Sequence, residues 1–116
     1  MNEINMDKGY AQIKRLSDRL TALKIPHVNM GECILFKERM VDYIFNSKII
    51  YNKAWMQADV ICKPGSYGYD DGLFEIMGAD LMTPEECAQD DVVGYLTMED
   101  VIERIVKAYH KFYKRK

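Results

Sequence analysis

Residues 59–72 read DVICKPGSYGYDDG and contain a candidate strand followed by a glycine-rich loop. The first four residues are apolar or β-branched apart from the leading acid, and they predict a strand that Pro64–Gly65 stops. The nine residues 64–72 contain three glycines and one proline, which predicts a loop with several positions free to take positive φ. We place this strand in a small antiparallel sheet formed by the middle of the chain.

Two amphipathic patterns flank the β-rich part. From Met6 to Lys24 apolar residues recur at intervals of three and four, which predicts a helix that Pro26 ends. A second helix start lies at Thr97, a capping residue followed by acids. Two apolar stripes around a β-rich middle need one shared core, so the predicted fold is α+β: a small antiparallel sheet packed by a long N-terminal and a C-terminal helix. The first stripe consists of Tyr10, Ile13, Leu16, Leu20 and Leu23, and the second of Met98, Val101, Ile102, Ile105, Tyr109 and Phe112.

The segment between the first helix and residue 56 has two interpretations. Cys33–Phe36 predicts a buried strand, and Val41–Phe45 with Lys48–Tyr51 predicts a hairpin that turns at Asn46–Ser47. A helix over part of residues 32–46 stays open, because periodicity does not distinguish short apolar runs. We favour the sheet.

Two short elements are predicted after the loop. Leu73–Met77 predicts a helical turn that Gly78 closes. Thr83–Glu86 has a capping threonine, a proline at the first helical position and a glutamate that can return a bond to the cap, and it predicts a short helix.

Length and composition indicate one domain over residues 1–116. A chain of this size buries about two-thirds of its unfolded surface on folding, enough for a core without a metal or disulfide. No apolar run approaches the roughly 18 residues of a membrane span, and the N-terminus lacks the apolar region of a signal peptide. Three cysteines without paired spacing point to a reducing compartment, so we expect a cytoplasmic location and no membrane partner.

The net charge of −2 conceals an uneven distribution. Residues 70–103 contain eleven acids and no base, whereas residues 104–116 contain six bases and no acid. The acidic stretch would attract a basic protein surface over a Debye length of about 8 Å at physiological salt.

Several distinct short motifs lie within residues 59–112. The more specific are Gly65-Ser66-Tyr67-Gly68 and the Leu-Thr-x-Glu-Asp run at residues 96–100. With these motifs the second half of the chain resembles a family of small uncharacterised proteins of phages and integrated elements in Gram-positive bacteria. The resemblance implies a phage-type origin and an insertion at residues 37–56. It implies no established activity and therefore transfers no catalytic residues. Its other parts are Asp59–Cys62, Leu73–Gly78, Leu81, Thr83–Glu86 and Val92–Thr97.

The residue types of common enzyme sites occur without the spacing that such sites need. Cys33 and Cys62 lie in apolar strand candidates, and no sequence context activates Cys87 or pairs a thiol with His27 or His110. The chain has no Cys-x-x-Cys, His-x-x-x-His, calcium-loop or Glu-x-Lys pattern, which disfavours zinc, calcium and nuclease sites. We predict no enzyme activity, no catalytic residue, no metal and no cofactor.

Three functional hypotheses remain. The first is a non-enzymatic phage accessory protein that docks on a basic surface of a host or phage protein, with an anti-CRISPR-like inhibitor as its specific form. The second is a binder of a small ligand or nucleotide signal, held by the glycine-rich loop. The third is nucleic-acid binding by the basic tail, Arg104–Lys116. Predicted partner contacts are the exposed side chains of Tyr67, Tyr69, Asp70, Asp71 and Glu75, and predicted ligand contacts are Gly65, Ser66, Tyr67 and Gly68.

Overall fold

The computed structural model describes the backbone of residues 3–41 and 49–113, and the side chains of residues 8–37 and 54–113. Within these residues five strands form one antiparallel sheet in the order β1-β2-β3-β4-β5. The predicted α+β class is confirmed. In chain order the elements are α1 (Glu3–Ala22), β1 (Val28–Asn29), β2 (Cys33–Val41), β3 (Ile49–Ile61), β4 (Phe74–Met77), α2 (Pro84–Gln89), β5 (Val92–Leu96) and α3 (Met98–Tyr113).

One face of the sheet carries the core. Alternate strand residues such as Ile34, Val60 and Ile76 are fully buried against Ile13 of α1 and Ile105 of α3. We call this the helix-covered face. The residues between them point to the other side, which we call the open face; its described members include Cys33, Leu35, Asp59, Ile61, Glu75 and Met77. Among the described helices, none is long and apolar enough to cross a membrane.

The first helix ends before the proline that was expected to stop it. Lys24 takes a left-handed conformation, and the amide of Ile25 donates to the Leu20 carbonyl oxygen at 3.0 Å, which is the bonding of a Schellman cap. The predicted stripe is buried at its centre, whereas its two ends, Tyr10 and Leu23, are exposed. The stripe is therefore buried only from Ile13 to Leu20, which is about two turns of the helix.

The predicted helix starts are both confirmed. The Thr83 hydroxyl accepts from the Glu86 amide at 3.1 Å, and the Glu86 carboxylate accepts from the Thr83 amide at 2.8 Å. Thr97 and Asp100 make the same reciprocal pair at the start of α3, at 3.1 and 3.2 Å. Local chemistry specifies these positions because each bond spans only three residues.

The middle of the chain is strand wherever the structure describes it. The expected strand at Cys33–Phe36 continues to Val41 as β2, so a helix is excluded over residues 33–41. β1 pairs with β2 only near Ile34, and β4 pairs with β3 only from Asp59 onwards. Among the described residues, therefore, the 37–41 and 49–54 segments pair only with each other. The predicted turn at Asn46–Ser47 lies outside the described residues.

The prediction of a helical turn at Leu73–Met77 is wrong. Phe74–Met77 is β4, and it is hydrogen-bonded to β3 on one side and β5 on the other. Gly78 closes no turn; instead a Cβ there would lie 2.4 Å from the Gln57 carbonyl oxygen, so the position needs glycine for a close approach. Val92–Leu96, to which the sequence analysis assigns no element, forms β5. Both segments contain residues that are common in strands, and pairing with neighbouring strands fixes them in that conformation.

Candidate functional site

The glycine-rich loop at residues 64–72 is closed by its own backbone. The Ser66 amide donates to the Lys63 carbonyl oxygen at 2.9 Å, and the Ser66 hydroxyl donates to the same atom at 2.8 Å. The amides of Asp71 and Leu73 both donate to the Gly68 carbonyl oxygen, at 3.0 and 2.9 Å. Several of the amides that an anion would use are thus already bonded within the loop.

The two loop tyrosines have opposite environments. Tyr67 is 53% exposed, as predicted, but Tyr69 is buried and belongs to the core. Its ring lies against α1, where a Cβ at Gly9 would come within 3.3 Å of it, and the Lys8 ammonium lies 5.6 Å from the ring centroid. The expectation that Tyr69 is an exposed contact is therefore wrong, because the loop passes over the end of the sheet and reaches the core there.

The expectation that Glu75 is exposed is also wrong. Glu75 lies on the open face of β4 and is only 8% exposed, because the loop covers it. One of its carboxylate oxygens accepts a hydrogen bond from the Tyr67 amide at 2.8 Å. A buried carboxylate needs such a donor. Glu75 thus holds the loop on the sheet and does not itself face a partner.

Sequence reasoning missed Tyr95, which lies beside Tyr67. Between the pairs Phe74–Leu96 and Ile76–Val93, the sheet sets two residues of β5 against one residue of β4, which is a β-bulge. Tyr95 is the second of these two residues and has φ 57, a left-handed conformation that costs a side-chain-bearing residue roughly 1–2 kcal/mol. A glycine next to an aromatic inside a short strand was the available sequence signal for a bulge.

Gly94 allows the loop to dock on the bulge. A Cβ at Gly94 would lie 2.2 Å from the Cβ of Tyr67, a separation that no side chain tolerates. The amide of Tyr95 donates to the Tyr67 carbonyl oxygen at 3.3 Å. Loop and strand are therefore joined at backbone level, and the two tyrosines leave the surface from adjacent points.

The two tyrosine rings form an exposed stack. Their centroids lie 6.3 Å apart with an interplanar angle of 22°, and Tyr95 is 62% exposed. The stack lines a concavity of about 300 Å³ together with loop residues 65–71, and we call it the tyrosine concavity. Asp70 and Asp71 also line it; both are exposed, and neither carboxylate makes a hydrogen bond or ion pair with the described residues.

A second groove lies on the other side of the same two acids. It has a volume of about 500 Å³ and lies between α1 and the loop. Here Lys8 and Arg15 face Asp70 and Asp71, and the Lys8 ammonium donates to the Asp70 carbonyl oxygen at 2.8 Å. Bases and acids are balanced in this groove, so it has less preference for a charged partner than the tyrosine concavity.

Much of the acidic stretch serves the fold. Glu86 accepts from the Arg104 guanidinium at 2.7 Å, and this bond lowers the pKa of Glu86 to about 2. Glu99 pairs with Arg19 at 2.9 Å. The hydrogen bond from Arg19 is the main cause that lowers the pKa of Glu99. Asp80 accepts from a β3 amide. Among the described residues, the acids that are exposed and make no side-chain hydrogen bond or ion pair are Asp70, Asp71, Glu85, Asp91 and Glu103.

The thiols of Cys33 and Cys62 are held in their protonated form. Burial raises the pKa of Cys33 to about 11, with a further contribution from Asp59, and burial also raises the pKa of Cys62. Both groups are therefore protonated at neutral pH, whereas a nucleophilic cysteine is a thiolate. Cys87 is exposed. The described residues contain no group of three or more metal-ligating side chains.

The histidines and the basic tail add no assembled site among the described residues. His27 bonds to the Ser17 hydroxyl at 2.7 Å and to the Ile25 carbonyl oxygen at 2.9 Å, so it joins α1 to the segment that follows. His110 and Lys111 are exposed near the end of α3. The last three bases of the tail lie outside the described residues.

Comparison of the chain with family models, with curated proteins and with solved structures gave no match. The resemblance to small phage proteins therefore stays a prediction from the motifs.

Proposed function

We propose that this protein is a non-enzymatic binding protein that docks on a basic protein surface through the loop at residues 64–72. The observation that carries the proposal is the pair of exposed carboxylates, Asp70 and Asp71, beside the exposed Tyr67–Tyr95 stack. Free acids attract a basic partner at a distance, and exposed tyrosines supply contact area with little loss of side-chain entropy. Glu75 contributes by holding the loop in place.

The motif resemblance supports a partner among host or phage proteins in the cytoplasm of a bacterial cell. An anti-defence inhibitor of the anti-CRISPR type is the specific form of the proposal. Enzymes that process nucleic acids have strongly basic clefts, and a small acidic surface of this kind fits such a cleft.

The nucleotide-signal alternative has less support. The amides of Ser66 and Tyr67, which would have to receive a phosphate, donate to Lys63 and Glu75. Asp70 and Asp71 lie beside the same loop and repel an anion. The site accordingly favours a cation over a phosphate.

The test compares two double neutralisations that change the net charge equally. Asp70→Asn with Asp71→Asn alters the proposed site, whereas Glu85→Gln with Asp91→Asn alters exposed acids elsewhere in the acidic stretch. Each immobilised variant is exposed to lysate of a Gram-positive bacterium, and captured proteins are identified by mass spectrometry. We expect the parent and the Glu85/Asp91 variant to capture the same basic proteins, and the Asp70/Asp71 variant to lose them. Capture should fall as the salt concentration rises.

Two results would overturn the proposal. Either capture does not change when Asp70 and Asp71 are neutralised, or both double variants lose the same proteins to the same extent. The second result would show that net charge acts without a site. Melting temperatures of both variants near that of the parent exclude unfolding as the cause of a loss.

A further inference from the structure

The Tyr67–Tyr95 stack has a property that the docking proposal does not use. Two rings in full face contact lie about 3.5 Å apart, whereas these centroids are 6.3 Å apart at 22°. Each ring therefore leaves part of its face uncovered by the other, and both residues are more than half exposed. Both tyrosines line the tyrosine concavity.

The side chain of Tyr95 contributes little burial to the core that would require an aromatic residue. It is 62% exposed, and its left-handed backbone at the bulge is a conformation that glycine adopts most easily. The fold needs the bulge, since the loop docks on it through Gly94, but it does not need the ring. Bulges of this kind commonly serve to direct a side chain.

The charge of the concavity selects the kind of group it receives. Its lining, Gly65–Asp71 with Tyr95, contains two exposed carboxylates and no basic residue. Tyrosine faces carry negative electrostatic potential and attract cations within about 6 Å. Carboxylates and ring faces thus favour the same sign of charge, so a cation is the complementary occupant.

The shape of the ring pair distinguishes between the two basic side chains. A guanidinium is flat and weakly hydrated, stacks on aromatic faces and can still donate to a carboxylate at its edge. An ammonium is a compact, strongly hydrated charge that cannot stack. A flat cation therefore uses both features of the concavity at once.

We infer that the tyrosine concavity receives an arginine side chain of the basic partner, with the guanidinium stacked on Tyr95 and paired with Asp70 or Asp71. This inference rests on the proposed docking function and specifies its partner. Tyr95 is a specificity-determining residue, whereas the two acids attract basic groups of either kind.

The test uses two labelled peptides of equal charge, hexa-arginine and hexa-lysine, titrated into the protein at low ionic strength with fluorescence anisotropy as the readout. We expect the parent to bind hexa-arginine about fivefold more tightly than hexa-lysine. Tyr95→Gly should reduce that ratio to about one, mainly by weakening hexa-arginine. Tyr95→Phe should keep the ratio because it keeps the ring face.

Two control variants separate this inference from the proposed function. Tyr10→Ala removes an exposed tyrosine far from the loop in sequence and should leave both affinities unchanged. Asp70→Asn with Asp71→Asn should weaken both peptides by similar factors, since carboxylates attract either cation. Tyr95→Gly should melt within about 4 °C of the parent, because glycine relieves the left-handed backbone while the lost ring is mostly exposed.

The outcomes are distinct. If both peptides bind the parent equally, or if Tyr95→Gly keeps the arginine preference, the inferred arginine site is wrong. In that case, loss of binding on neutralising Asp70 and Asp71 still supports the docking proposal. If the Asp70/Asp71 variant binds both peptides as the parent does, or neither peptide binds the parent, the site does not select cations and both proposals fail.

Discussion

The two faces of the sheet have different compositions and different tasks. On the helix-covered face, buried side chains such as Ile34, Val60 and Ile76 are apolar and pack under α1 and α3. On the open face the same strands carry the acids Asp59 and Glu75 among apolar residues such as Ile61. One face is occupied by the molecule's own helices, whereas the other is covered at Glu75 by the loop.

Asp59 on the open face reduces the stability of the folded protein. Its pKa is raised chiefly by burial and further by the charge of Glu75, although Lys63 opposes the shift. A half-buried carboxylate without full solvation destabilises the folded state at neutral pH. The helix-covered face therefore stabilises the fold, whereas the exposed tyrosines and carboxylates lie at the loop end of the open face.

The largest expected effect comes from one substitution made on each face of the same strand. Ile76→Asn places an amide in the core and leaves a cavity, and it should lower the free energy of unfolding by about 3 kcal/mol or more. Met77→Asn lies one residue further on the open face, where Met77 is 47% exposed, and should cost less than about 1 kcal/mol. Urea denaturation measures both, and equal losses would contradict the assignment of the two faces.

An intermediate effect is expected where the loop covers the open face. Gly94→Ala introduces a Cβ that would meet the Cβ of Tyr67 at 2.2 Å, so the loop must shift, with an expected loss of about 2 kcal/mol. Gly65→Ala is the matched control, because no atom lies within 4 Å of its Cβ and only its positive φ costs about 1 kcal/mol. Thermal and urea melts that rank Gly65→Ala as the more damaging change would show that the loop is not docked on β5.

The smallest effects concern two acids whose pKa values move in opposite directions. Glu86 has a folded pKa of about 2, below its ordinary value of 4.5, so its ion pair with Arg104 stabilises the protein above about pH 4.5 and is lost as the pH falls towards 2. Glu86→Gln should therefore lower stability by about 1–2 kcal/mol at neutral pH, and the difference from the parent should shrink as the pH falls through that window.

Asp59 is the counterpart on the open face. Because its folded pKa is raised, protonation favours the folded state, and Asp59→Asn should raise the melting temperature at neutral pH. Melting curves of both variants between pH 7 and the acid limit of solubility measure the two effects. A lower melting temperature for Asp59→Asn at neutral pH would mean that its carboxylate has a bonding role in the folded protein.

Sequence patterns located the candidate loop but did not separate its exposed residues from its buried ones. The glycines and proline of residues 64–72 placed it correctly, and Tyr67, Asp70 and Asp71 are exposed as predicted. Tyr69 and Glu75 were assigned to the surface because they lie in or beside the predicted loop, and loops run over the protein surface. Their burial depends on α1 and on the loop's own return to the sheet, and neither is visible in a local window of sequence.

The features with local interactions could be predicted from the sequence: the capping boxes at Thr83 and Thr97, the buried centres of the two helical stripes, and the place of the glycine-rich loop. Each rests on contacts between residues a few positions apart, so spacing alone specifies it. The strand at Phe74–Met77 and the β5 bulge became visible in the fold, where the bulge brings Tyr95 beside Tyr67, a residue 28 positions earlier. Strand pairing and register are settled by hydrogen bonds between distant segments, and for this reason the candidate site is a property of the fold.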